Sequence, residues 1–180
     1  MKFTAIIFPL LVTGAVSHVV QLRDVSTIRQ AVSDVGHDVE GLDQAIRAFS
    51  GNDDSIQAAT SKLAQTISDS QTIVDASDNL TLSDSMSVQQ SMELLRTQFE
   101  TLAADLKEKA PALQEKSLCE VTRRQLIQYI SKMLSFSRVV AIKYPAEARD
   151  AAQDMLRTLR ATVSTIQTAV DTSNCNDEQS

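Results

Sequence analysis

The chain has 180 residues, 23 acidic and 17 basic side chains, and a formal charge of −6. That balance argues against nucleic acid as a partner, because an acidic chain gains nothing from counterion release on a phosphate backbone. Only 4 glycines and 3 prolines punctuate the sequence and tryptophan is absent, which predicts long helices in a single domain large enough for its own core.

At the start, Met1-Lys2-Phe3-Thr4 sets one positive charge ahead of the apolar run 5–16, which closes on Ala15-Val16-Ser17. Charge, apolar run and small-residue exit in that order predict a secretory signal peptide over 1–17, cut after Ser17, with 18–180 as the mature domain. The run falls short of the roughly 20 residues of a membrane span. No second run of that length follows, and the polar end from Asn174 lacks the hydrophobic tail of a lipid-anchor signal. A secreted, extracellular protein without a transmembrane segment is expected.

Val25, Ile28, Val32, Val35, Val39, Leu42, Ile46 and Phe49 step by three and four, one seam of a helix over 24–50. Gly51 ends it, and Asn52, Asp53 and Asp54 offer acceptors for the next start. The second helix, 54–75, carries the thinner stripe Ile56, Ala59, Leu63, Ile67, Ser70 and Val74. A polar break over 75–85 follows, holding the N-glycosylation acceptor Asn79-Leu80-Thr81 in an exposed loop. The third helix, 83–109, has a bulky seam of Val88, Met92, Leu95, Phe99, Leu102 and Leu106.

Pro111 predicts a boundary with a fourth helix running from it to 143. The wide apolar content of that segment, with Leu126, Ile127, Ile130, Met133, Leu134, Phe136, Val139, Val140 and Ile142, predicts burial on more than one side. Its basic residues Arg123, Arg124, Lys132, Arg138 and Lys143 are expected on a solvated face. Tyr144-Pro145 marks the next boundary. The last helix, 145–172, aligns Ala148, Ala152, Met155, Leu159, Thr162, Ile166 and Val170. The fold class is all-α, a single-domain bundle of about five long amphipathic helices.

Cys119 and Cys175 are an even pair in a chain expected to cross an oxidising compartment, so they are expected to be joined. Closing that loop would stabilise the fold by roughly 4 kcal/mol on the chain-entropy model. The histidines are His18 and His37. His37 lies two positions from Val35 and Val39, which turns it toward the outer surface. Asp34 stands three residues before it, but a di-metal bundle needs a second such pair and further carboxylates. No nucleophile elbow, phosphate-cradling loop or cysteine with a histidine partner is present. No enzyme, cofactor or metal site is expected.

Arg23-Asp24-Val25-Ser26-Thr27-Ile28, the Val-rich seam to Ala45-Ile46, the Gly51 break, the stretch Ile56 to Ile67 and Cys119-Glu120-Val121 opening an apolar helix together resemble a fungal secreted family. That family is hydrophobic surface binding protein A with the related antigenic cell-wall galactomannoproteins. The resemblance implies a helical bundle that binds apolar matter, either fatty acids or other lipids in a cavity between helices or apolar solid surfaces. Cell-wall members often continue into a Ser/Thr-rich stalk and anchor signal, and this chain stops at Ser180 without either, so wall association is expected without a lipid anchor. Met92, Leu95, Phe99, Met133, Phe136, Met155 and Leu159 are the candidates to line a lipid cavity, thioethers adapting to variable shapes. Adsorption would need the bundle to open, and Gly36 and Gly41 each weaken the first helix by about 1 kcal/mol. The alternative is a structural or antigenic cell-wall mannoprotein with no small-molecule ligand. Plant invertase inhibitors, also secreted bundles, rely on an N-terminal cysteine hairpin that this chain lacks.

Overall fold

The computed structural model describes the backbone of residues 16–177 and the side-chain surroundings of residues 25–177. The expected leader lies, apart from the backbone of Val16 and Ser17, outside the described residues. Among the described residues five α-helices follow one another: α1 (Val16–Arg47), α2 (Asp54–Asp75), α3 (Leu82–Glu115), α4 (Cys119–Ile142) and α5 (Arg149–Ala169).

The first seam is buried from Ile28 to Ile46. Phe49 is buried just past the end of α1, where its N–H donates to Ile46 O at 3.1 Å. The connection then turns through Gly51, whose φ of 114° lies in the left-handed region that favours glycine. A Cβ at Gly36 would meet the end of the Gln98 side chain on α3, a flexible group that can shift aside.

Helix α2 has the expected bounds, with Thr60 buried where Ala59 was expected. In the loop after it, Asn79 is exposed while Leu80 is buried and donates its N–H to Lys143 O at 2.8 Å. Thr81 and Asp84 then form a reciprocal capping box that starts α3.

The boundary expected at Pro111 is overturned, since α3 continues through that proline to Glu115. Ala110 and Leu113 are buried on either side of it, and their burial outweighs one missing backbone hydrogen bond. The chain turns instead at Ser117, with φ of 54°, where Leu113 O accepts from both Lys116 N–H and Leu118 N–H. Burial of the next helix on more than one side is also corrected. Helix α4 buries one stripe, Cys119, Leu126, Tyr129, Met133, Phe136 and Val140, while Ile127 and Ile142 are 50% and 66% exposed. Lys143 is not solvated either, as its buried ammonium donates to Asp75 O at 2.9 Å and Ser77 O at 2.6 Å. A single 3₁₀ turn, Ala146–Ala148, leads into α5, which ends before the expected 172.

The tail after α5 folds back onto the start of α4. Cys119 and Cys175 are joined, with their Cα atoms 5.4 Å apart. The Asp177 carboxylate accepts from Cys119 N–H at 2.9 Å and Glu120 N–H at 3.0 Å, capping a helix whose own N-cap, Leu118, has no side-chain acceptor. Arg123 donates to Val170 O and Cys175 O, both at 2.9 Å.

Each helix packs on two neighbours: α1 on α2 and α3, α4 on α2 and α5, and α5 also on α3. The helices therefore close into a ring in the order α1, α2, α4, α5, α3. Across its middle α3 and α4 meet mainly through side chains, with Phe99 and Tyr129 stacked at a centroid distance of 6.4 Å.

Candidate functional site

A ring of five helices has no helix on its axis. With neighbours spaced by about 9–10 Å, each helix axis stands roughly 8 Å from the centre, and a helix with its side chains reaches about 5–6 Å. Only a narrow axis, roughly 2–3 Å in radius, lies beyond that average side-chain reach, and longer side chains fill it. Its present occupants are large side chains from α3 and α4.

The structure brings the expected lining residues together. Leu95, Phe99, Met133 and Phe136 are buried in one contiguous core with Met92 and Leu159, and the half-buried Met155 packs against it. Met92, Met155 and Leu159 also line a cavity of about 120 Å³ between α3 and α5. Arg96 and Glu93 stand at that cavity, and the Arg96 guanidinium is ion-paired to both Glu93 and Glu100. Methionines at this place give a wall that can reshape at little cost.

Tyr129 belongs to this site and was missed from sequence. It is fully buried at the ring's centre, and its hydroxyl has no hydrogen-bond partner among the described residues. Burial pushes its pKa well above the usual phenol value. Its spacing was the available signal, since Leu126, Tyr129, Met133, Phe136 and Val140 step by three and four along α4.

Acidic groups are buried between α1 and α3. Asp43 is 3% exposed, and burial followed by the neighbouring Asp105 carboxyl raises its pKa. Arg47 pairs with both acids, at 3.4 Å from Nε to Asp105, yet Asp43 Oδ1 has no hydrogen-bond partner among the described residues. Asp38 goes the other way. Burial raises its pKa, but hydrogen bonds from Lys62 at 2.7 Å and Thr66 at 2.6 Å outweigh that and hold it low. His37 is exposed, and Asp34 accepts from Gln30 at 2.7 Å.

The architecture is that of an all-helical binding domain with an apolar axis. The chain belongs to the hydrophobic surface binding protein A family, whose profile matches residues 25–141. No protein of curated function matches the sequence. Among solved structures, ligand binding domain 1 of the Penicillium marneffei MP1 protein, complexed with arachidonic acids, superposes with a TM-score of 0.77 at 13% identity, covering 83% of this chain and 99% of that one. Ligand binding domain 2 of the same protein, complexed with multiple arachidonic acids, gives 0.76 at 19% identity, covering 82% and 96%. AFMP4P in complex with palmitic acid gives 0.76 at 20% identity, covering 82% and 100%. These likenesses show the fold.

Proposed function

We propose that this chain is a secreted binding protein for fatty acids or related long-chain lipids, the acyl chain lying along the axis of the helical ring. The observation that carries this reading is the closed ring with side chains alone at its centre. Each buried methylene contributes about 0.8 kcal/mol, so a long acyl chain offers on the order of 10 kcal/mol before binding costs. Parting the Phe99–Tyr129 stack costs about 0.5–1.5 kcal/mol beyond lost area. The family to which the chain belongs, and neighbours solved with arachidonic and palmitic acids, support the same reading.

The leader over 1–17 would deliver the domain to an oxidising compartment, where the Cys119–Cys175 bond persists. Asn79, exposed in the α2–α3 loop, is our candidate for a glycan. A second reading, adsorption to apolar solids, is favoured by Leu82, Met86 and Leu94, which are 54–64% exposed on α3.

Native mass spectrometry of the secreted protein, followed by organic extraction, tests the proposal. Stoichiometric fatty acid, or rebinding of palmitic acid after delipidation, is expected. A protein that is empty and stays empty when offered palmitic acid refutes it, and depletion by polystyrene beads would then favour adsorption.

A further inference from the structure

We propose that the cleft between α4 and α5 at its Tyr144 end is the mouth through which a free fatty acid reaches the ring, with Arg138 and Arg149 receiving its carboxylate. This rests on the reading that the interior holds an acyl chain. The cleft has a volume of about 520 Å³ and an apolar floor that includes Ile142, Tyr144, Ala152 and Leu156. That volume falls within the roughly 300–1,000 Å³ range of small-molecule sites. Ile142 is among the most exposed large apolar residues described, at 66%. A floor of this kind keeps hydrophobic area in contact with water, and polymethylene would cover it.

The charges single out the same place. Arg138 and Arg149 both line the cleft, and neither has an ion pair or side-chain hydrogen bond among the described residues. Arg47, Arg96, Arg123, Arg124 and Arg157 are paired with acids; Arg29 and Arg160 are also without an ion pair, but of the clefts described this is the one lined by two unpaired arginines. Glu147 and Asp150 flank Arg149 in sequence, but the cleft is lined by other residues. A chain of charge −6 repels an anion as a whole, so a locally positive opening is where a carboxylate is steered. The flat guanidinium fork also matches a carboxylate. The occupant is a single fatty acid and not the face of a bilayer, because the cationic groups sit at a concave cleft and not on a broad basic surface.

One weak contact stands between the cleft and the core side chains beside it. The Tyr144 hydroxyl donates to Met155 Sδ at 3.8 Å. Tyr144 lines this cleft, and Met155 lines an open groove between α3 and α5 whose lining also includes the core residues Met92 and Leu159. Thioether sulfur is a weak acceptor on a flexible side chain, so the two can swing apart and uncover the core side chains Met92 and Leu159 beneath Met155.

The test is stopped-flow binding of cis-parinaric acid, a fluorescent fatty acid, and of its methyl ester to the delipidated full chain. In the Arg138→Ala/Arg149→Ala double variant, association of the acid should slow about ten-fold and lose most of its salt dependence. Association of the ester and the thermal midpoint should stay unchanged, and Arg157→Ala should behave as wild type. Unchanged acid kinetics, or equal slowing of acid and ester, overturns the proposal. So does loss of binding to phosphatidylglycerol vesicles with free-acid kinetics intact, which would assign the arginines to a membrane. If the wild type takes up neither probe, the acyl-binding reading fails first and the mouth with it.

Discussion

Replacing Tyr129 by Phe should make the delipidated protein more stable, although the residue lies at the centre of the core. The hydroxyl is fully buried and unpartnered, and leaving such a group unsatisfied costs about 1–3 kcal/mol. Phe keeps the ring, the stack on Phe99 and nearly all the volume, and gives up the few dispersion contacts of one oxygen, worth a few tenths of a kcal/mol. The net expectation is a gain of about 1–2 kcal/mol, or about 3–6 °C in Tm for a domain of this size. Urea and thermal unfolding followed by circular dichroism, on delipidated protein, measure it. A delipidated variant no more stable than wild type would refute the reasoning, since the hydroxyl would then have a partner in solution.

Three further outcomes follow from the structure. Asp43→Asn should flatten the pH dependence of stability: burial and Asp105 push Asp43 up from 3.8 to about 6. The folded state then holds more protons than the unfolded chain between about pH 4 and 6, so wild-type stability falls as pH rises through that window. The variant should gain on the order of 2–3 kcal/mol at neutral pH, read by urea titrations across pH. Pro111→Ala should stabilise α3 by about 2 kcal/mol, because the exposed proline interrupts a continuous helix, and an unchanged urea midpoint would place the helix end before it. Cys119→Ser/Cys175→Ser should cost roughly 4 kcal/mol through the closed loop of sequence separation 56, measured as a lowered urea midpoint.

The helix count and most seams were legible because apolar steps of three and four are local. Helix α2 could be bounded at both ends, as Asp54 follows a glycine turn and Asp75 enters a polar break. The α3–α4 boundary could not, because a proline is a local signal and the burial of Ala110 and Leu113 against other helices is not. The same reason explains why α4 looked wider than its buried stripe. Ile127 and Ile142 are apolar by composition yet exposed in the fold. The pairing of buried Asp43 with half-buried Asp105 depends on how α1 packs on α3, so it leaves no local signal in the sequence. The lining set was recognisable as adaptable apolar residues, whereas Tyr129, on the same seam as Met133 and Phe136, was left out of it.

A packed core and an acyl ligand are reconciled by the way the α4–α5 wall is held. Residues 143–148 join the two helices at one end, and the Cys119–Cys175 bond with the Arg123 and Asp177 contacts ties them at the other. A wall fastened at both ends can bow in the middle without peeling away. Cavities lie beside each fastening, about 520 Å³ at Tyr144 and about 260 Å³ at Arg123 and Val170. Helix α5 rests chiefly on α3, so a bowing α4–α5 seam leaves the larger contact in place. Loading through this seam thus disturbs little of the ring. Adsorption would instead spread α1, α2 and α3, which the disulfide does not span, so reduction should alter fatty-acid exchange while leaving capture by an apolar solid largely as it was.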